Sequence, residues 1–323
     1  MNRNPAYSFD CEIKIRLEGF KACLQELGSD NNTIRQKSNY AGYYLKWLAS
    51  ERLQVTDVRY NDLLSFIDYC RLEGNTTGHI NTKLRSIRDY YEYLKKLGVT
   101  TVNPATNLHL KGSSHMVISG VIDFKALENL YQAYPAETLR QKRNKIILGL
   151  LIYQGLNTED LGRLVIENIK LKEGKIYVPG DRRLGSRNIE LKPFQVMELY
   201  EYLSETRPKI LEEITKPKPS RKPDRINKAR IKDQLFVSIN GSEHIKNSLL
   251  HMFREIKKIN PVIVNAFKIR QSVITYWLKT MNLRQVQYMA GHKRVSSTER
   301  YQRSNLENLQ NKLEKCHPLS RRN

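Results

Sequence analysis

Arg270, His292 and Tyr301 lie in one stretch of the chain, AFKIRQSVITYWLKTMNLRQVQYMAGHKRVSSTERY (266–301), and their types suit one chemistry. A tyrosine hydroxyl titrates at about 10 and is a poor nucleophile unless charge is stabilised around it. Arginine offers a planar, permanent cation that matches two non-bridging phosphate oxygens. Imidazole can orient such a phosphate or help to move a proton. Preorganised donors of this kind commonly supply the largest catalytic contribution, about 3–4 kcal/mol for each group removed. The set therefore fits transfer of a phosphoryl group onto a protein hydroxyl. Singly, each residue has a plainer reading. Tyr301 is one of 18 tyrosines, His292 follows a glycine that could simply end a helix, and Arg270 could pair with an acid.

The elements around these residues must bring them together. Arg270 starts an amphipathic helix with Val273, Ile274, Trp277 and Leu278 on its apolar side. A second helix, LRQVQYMAG, ends at Gly291, where His292 appears, and a third opens at Ser296/Ser297 and presents Tyr301. Ser/Thr caps and a glycine stop are the expected punctuation, and side chains at such helix ends can converge. Upstream, helices are expected over 123–133 and 137–154, followed by IENIKLKEGKIYVPGDRRLGSRNIELKP. There Ile176, Val178, Ile189 and Leu191 alternate with polar residues, and Gly180-Asp181 and Gly185 supply turn chemistry. Two or three antiparallel strands with an arginine-rich hairpin tip are expected.

The first hundred residues read as a helical module. Tyr40, Tyr44, Trp47 and Leu48 recur at helical spacing, as do Ile80, Leu84, Ile87, Tyr91 and Leu94, and this stripe reads as core. Gly74, Gly78 and Gly98 punctuate the helices, and Asn103-Pro104 stops the last one. The polar stretch ATNLHLKGSSHMVISG (105–120) reads as a connection. The expected organisation is a helical domain over 1–108, a linker over 109–120 and a second domain over 121–323. The fold class is mainly α with a small antiparallel sheet, an α+β arrangement.

Charge narrows the partner. The 323-residue chain carries +22 with an isoelectric point near 9.8. Residues 1–112 hold only +4 of this, leaving +18 for the remainder. A surplus of this size is the footprint of a polyanion, because neutralised phosphates release condensed counterions. Lys216–Lys232 (KPKPSRKPDRINKARIK) places eight Lys/Arg against one Asp, and Lys216, Lys218, Arg221 and Lys222 fall in its proline-spaced first half. This reads as a basic loop along a DNA backbone. A face of the last helix of the first module adds Lys83, Arg85, Arg88, Lys95 and Lys96. Four cysteines without a CxxC pair and a start that is not signal-like point to a reduced, cytoplasmic setting. The longest apolar run, Ile146–Tyr153, is far below the ~20 residues that span a bilayer. The seven histidines form no zinc-like cluster, so no metal is expected.

Residues 266–301 resemble the C-terminal half of a tyrosine recombinase, the phage integrase family. In that family an HxxR element precedes a Gly-His pair, and the nucleophilic tyrosine follows that histidine by nine residues, as Tyr301 follows His292 here. YQGLNTEDLGRLVIENIKL resembles the segment around the family's first catalytic arginine, and LKKLGVTTVNPATNLHLKG the end of its core-binding domain. The resemblance implies a SAM-like helical core-binding domain joined to a recombinase catalytic domain. It implies a site-specific recombinase or integrase, of the kind carried by mobile elements, that cleaves and rejoins DNA. The strand would be held as a 3′-phosphotyrosyl link, reversed by the 5′-hydroxyl of another strand, without metal or other cofactor. A C-shaped clamp would enclose double-stranded DNA, and four protomers would assemble on it.

Three positions depart from the pattern. Asn157 follows Gly155-Leu156 where the family has arginine. Phe267 stands at the HxxR histidine. The hairpin lysine that would protonate the leaving 5′ oxygen has no counterpart in GDRRLGSR. Loss of one such arginine is expected to cost on the order of 10²–10³ in rate. Arg182 and Arg183 are the catalytic candidates at the tip, with Arg163 and Lys268 as further cations able to take over. Arg187 aligns with a basic hairpin residue and, with Lys268, is assigned to DNA contact.

Two other readings stand beside this one. The protein could bind DNA architecturally on the same fold without cutting it. LRQVQYMAG alone would fit a helix-turn-helix regulator, which leaves the hairpin and the Tyr301 spacing unexplained. Leu306, Leu309 and Leu313 form a stripe that packs on its own domain or on a neighbouring protomer. If the basic segment grips phosphate, deleting Lys216–Lys232 flattens the dependence of log affinity on log salt, measured by titration at several ionic strengths.

Overall fold

Tyr44 marks the centre of the N-terminal helices. Its hydroxyl meets that of Tyr91 at 2.9 Å, and the Tyr91 hydroxyl lies 3.1 Å from the Val55 carbonyl. The computed structural model describes residues 5–112, 120–216, 228–242 and 244–302, with 5–15 and 228–230 as backbone only. Lys218, Arg221, Lys222 and the leucines after Tyr301 lie outside the described residues. The chain divides into two compact units, Met1–Met116 and Val117–Asn323. No described helix is long and apolar enough to cross a membrane.

The first unit comprises α1 (Pro5–Glu26), α2 (Asn31–Ser50), α3 (Tyr60–Leu72) and α4 (Thr77–Lys96). Asp30 and Thr76 cap α2 and α4, each accepting from the backbone N–H three residues on. The aromatic stripe is core: Tyr44, Trp47, Phe66, Tyr90 and Tyr91 are buried together. After α4 the chain doubles back onto the unit. Arg88 donates to the carbonyls of Ala105 (2.9 Å) and Leu108 (3.0 Å). The Asn81 side chain clasps both the N–H and the carbonyl of Leu110, so the beginning of the stretch read as linker is anchored to α4.

These contacts correct the basic face expected on α4. Lys83 is buried, with Nζ 3.8 Å from the centroid of the Tyr43 ring and 3.7 Å from Cys70 Sγ. Its stem fills core and its ammonium rests on an aromatic face. Arg88 is occupied by carbonyls. Arg85, Lys95 and Lys96 remain exposed.

The second unit is organised around α6 (Leu139–Tyr153), which packs against α5 (Phe124–Ala133), α8 (Pro193–Glu201), α9 (Arg207–Thr215) and α12 (Ala266–Thr280). Residues 146–152 of α6 are all buried. A helix apolar on every side is one enclosed by neighbours. The short helix α7 (Thr158–Arg163) follows, and then the antiparallel sheet β1 (Ile169–Lys170), β2 (Lys175–Val178) and β3 (Arg187–Glu190), in that order. Ile176 faces Ile189, and Val178 faces Arg187. All four are buried, so the inward face of the hairpin carries an arginine. Helices α10 (Lys228–Asp233), α11 (Lys246–Ile259) and α13 (Leu283–Ala290), and a helical stretch over 295–302, complete the unit.

The basic segment is tied down at both ends. Lys216 pairs with Glu212 (3.2 Å) and Glu213 (3.0 Å). In α10, Ile231 is core, and the buried Arg207 donates to the carbonyls of Ile231, Lys232 and Gln234. Deleting Lys216–Lys232 would therefore strip core as well as charge. Neutralising Lys218, Arg221 and Lys222 to glutamine is the cleaner test: the log–log salt slope falls by about two to three, while the denaturation midpoint is unchanged.

Candidate active site

The site is assembled where helices end. Gly291 closes α13 in the left-handed region (φ 72°), which glycine adopts without steric cost. Arg270, one turn into α12, spends its guanidinium on carbonyl oxygens at two helix ends. Nη1 donates to Gly155, just past α6, and Nη2 to Ala290, the last residue of α13, at 2.5 Å. Such carbonyls lack helical partners and sit at the negative ends of helix dipoles. Burial pulls the Arg270 pKa down, and Asp160 opposes it. Gly155 also has positive φ (58°), and a β-carbon there would meet the Trp277 ring of α12 at 2.8 Å.

His292 and Tyr301 complete the group. His292 Nε2 is 3.4 Å from Arg270 Nη2, and Nδ1 is 2.9 Å from Thr298 Oγ1. The rings of His292 and Tyr301 stack with centroids 6.0 Å apart and planes at 18°. Burial, then Arg270, Arg187 and Arg300, lowers the His292 pKa from 6.5 to about 4. The imidazole is thus neutral near pH 7. Burial pushes the Tyr301 phenol up, against the pull of Arg270 and Arg300. The phenol therefore keeps its proton near neutral pH.

Beneath this group lies a buried ion network absent from the expectations above. Arg187 Nη2 meets Asp160 Oδ2 at 2.8 Å with both side chains fully buried. The same guanidinium donates from Nε to the Met289 carbonyl at 2.9 Å. It passes under Gly291, where a β-carbon would lie 2.5 Å from Nη1. Assigning Arg187 to DNA contact is thus corrected: it is an internal strut from β3 to α7 and α13. Arg163 pairs with Asp160 at 2.7 Å and with Asp181, so both carboxylates hold it away from free duty as a replacement cation.

Asn157 explains one departure from the family pattern. Its side chain caps α7, accepting from the Asp160 N–H at 2.6 Å, while Asp160 accepts from the Asn157 N–H at 3.2 Å. This reciprocal capping box commits position 157 to local structure. Phe267, on the first turn of α12, is 52% exposed.

The hairpin tip is drawn to the His292 segment. Gly185 N–H donates to the Gly291 carbonyl at 2.9 Å, and Leu184 bridges to His292. Asp181 organises the turn by accepting from the N–H groups of Arg183 (2.6 Å) and Leu184 (2.7 Å). Burial would raise the Asp181 pKa, but these bonds and Arg163 hold it at about 2. Arg182 and Arg183 project outward from this turn, exposed. Lys293 reaches across to it, donating to the Asp181 carbonyl at 2.7 Å and towards that of Arg182 at 3.4 Å. Lys268 brings its Nζ to Gly120 instead, 3.0 Å from where a β-carbon would stand.

Strand alternation could have found Arg187, since it shares the inward parity of Ile189 and Leu191. The Asn157-x-x-Asp160 spacing could have found Asp160 as a capping partner. Nothing in the spacing announces Lys293, whose contacts lie more than a hundred residues earlier in the chain.

The model of the phage integrase family matches residues 121–308. The chain belongs to that family. A tyrosine recombinase XerC of Oceanobacillus iheyensis is 25% identical over 320 residues, covering 97% of this chain and 99% of that protein. A tyrosine recombinase XerD of Listeria innocua is 24% identical over 303 residues, covering 91% and 95%. Among solved structures, the XerH recombinase bound to a palindromic difH substrate, a post-cleavage complex, gives a TM-score of 0.65 at 17% identity, covering 87% of this chain and 79% of that one. The Tn1549 transposon integrase in complex with a circular-intermediate DNA gives 0.63 at 15% identity, covering 91% and 99%. At these identities the structures establish a shared integrase fold.

The depressed His292 pKa has a thermodynamic consequence. A base whose folded pKa lies below its ordinary value stabilises the fold fully above the higher value, and less as pH falls through the window. For His292 that window runs from 6.5 down to about 4. Unfolding free energy should therefore rise with pH across this range. His292→Gln should show a shallower rise, read by denaturant titration at each pH.

Proposed function

We propose that the protein is a site-specific DNA recombinase in which Tyr301 cleaves one strand and holds it as a 3′-phosphotyrosyl link. The observation that carries this reading is the convergence of Tyr301 and His292, rings stacked, beside the buried guanidinium of Arg270. Arg270 stabilises charge on the phosphate. His292, neutral and steered by Thr298, orients the phosphate beside the nucleophile. Arg182 and Arg183, exposed on the hairpin, neutralise non-bridging oxygens that lack a cation at position 157. The energy of the broken bond stays in the link, so the 5′-hydroxyl of another strand reverses the reaction. No metal or nucleotide enters this scheme.

Double-stranded DNA is the partner, in keeping with the net charge of +22 and with family members solved on DNA. Arg85, Lys95, Lys96, Lys216, Lys268, Lys218, Arg221 and Lys222 supply sequence-independent phosphate contacts. The working assembly is a homotetramer on DNA, acting in the cytoplasm beside the nucleoid. Transposon integrases of the same fold support a role in moving a DNA element.

The test is covalent capture. Duplexes nicked beside the scissile phosphate, drawn from DNA flanking the gene and from a randomised pool, should yield an adduct that survives denaturing electrophoresis. Tyr301→Phe should abolish it, and Arg270→Ala should slow its formation by about 10²–10³. An adduct that persists in Tyr301→Phe places the nucleophile on another residue, and no adduct from either source supports the architectural reading instead.

A further inference from the structure

The leaving 5′ oxygen departs as an alkoxide unless a proton reaches it as its bond to phosphorus breaks. Most groups around the site cannot supply that proton. A guanidinium is a poor proton donor, which disfavours Arg182 and Arg183 at the tip, and Arg163, Arg187 and Arg270 are spent on carboxylates and carbonyls. His292, at about 4, is already neutral at working pH. The hairpin GDRRLGSR contains no lysine.

Lys293 places an ammonium there from elsewhere. It is adjacent in sequence to His292, and its Nζ donates to the Asp181 carbonyl at 2.7 Å and towards that of Arg182 at 3.4 Å. The tip itself is joined to the same segment through Gly185 and Gly291. The ammonium therefore sits at the junction of hairpin and nucleophile segment, exposed to solvent, held by neutral carbonyls and by no described carboxylate. Lys268 instead brings its Nζ to Gly120.

We propose that Lys293 is the general acid of strand cleavage, delivering its proton to the leaving 5′ oxygen. The inference rests on the strand-cleavage reading above. In the step, the bond from Tyr301 Oη to phosphorus forms and the bond from phosphorus to O5′ breaks. The Lys293 proton passes to O5′, giving a neutral hydroxyl. The phenolic proton leaves to water and Lys293 stays a neutral amine in the covalent intermediate; on rejoining the Tyr301 oxygen recovers a proton from water, so protons and charge balance over the cycle. On rejoining, the Lys293 amine takes a proton from the attacking 5′-hydroxyl.

The experiment uses the full-length protein and the duplex identified by covalent capture, synthesised with either oxygen or sulfur at the 5′ bridging position. A thiolate needs no proton to depart, since thiols ionise at about 8.5. On the oxygen duplex, Lys293→Ala and Lys293→Arg should both slow single-turnover cleavage by about 10²–10⁴. Arginine keeps the charge but not the transferable proton. On the sulfur duplex both variants should return to within a few-fold of wild type. Lys268→Ala should show the wild-type ratio of oxygen to sulfur rates. Equal defects of the Lys293 variants on both duplexes, or none on oxygen, overturn the assignment while leaving Tyr301 cleavage standing. A wild type that cleaves neither duplex overturns the strand-cleavage reading, and the role of Lys293 with it.

Discussion

The buried pair of Arg187 and Asp160 is the contact on which the site depends. Two charges removed from water attract strongly but lose hydration, so such a pair is sound only when every donor and acceptor is occupied. Here Asp160 also takes Arg163 and the Asn157 N–H, and Arg187 also bonds the Met289 carbonyl. Removing one partner of a pair this deep typically costs about 3–5 kcal/mol. The pair ties α7 to β3 and to the end of α13, the elements from which the hairpin and His292 emerge. The positions of Arg270, His292 and Tyr301 thus follow from a charge balance one layer below them.

Much of this was legible in residue order. The strand alternation, the glycine stop at Gly291 and the helix carrying Arg270 follow from periodicity and backbone preference, which are local. What the sequence concealed is non-local. Lys83 has the charge of a phosphate contact, yet the ring of Tyr43 and the sulfur of Cys70 make its burial acceptable. Arg187 has the inward parity of a core residue, but its charge argues for the surface, and only the carboxylate of Asp160 on α7 makes its burial acceptable. Asn157 reads as a missing cation; its actual work, capping α7, requires knowing that a helix starts there.

Charge and backbone divide the labour at the site. Asp160 and Asp181 hold two arginines inward, while the hairpin tip turns Arg182 and Arg183 out to solvent. Between them, carbonyls at helix ends receive Arg270 and carbonyls of the hairpin turn receive Lys293. A neutral acceptor fixes the place of a cation without pairing it with an opposite charge.

Anchoring to main-chain oxygens also bears on how such a site can diverge. Gly155, Ala290, Met289, Asp181 and Arg182 are each contacted through the carbonyl, which every amino acid possesses. Drift at Ala290, Met289 or Arg182 leaves those particular bonds available, whereas Gly155 and Gly291 are constrained by what a β-carbon would strike. Lineages sharing this wiring can exchange most of their side chains and still present the same pocket. Low identity to relatives is therefore compatible with preserved geometry, and the two glycines are where inheritance is least free.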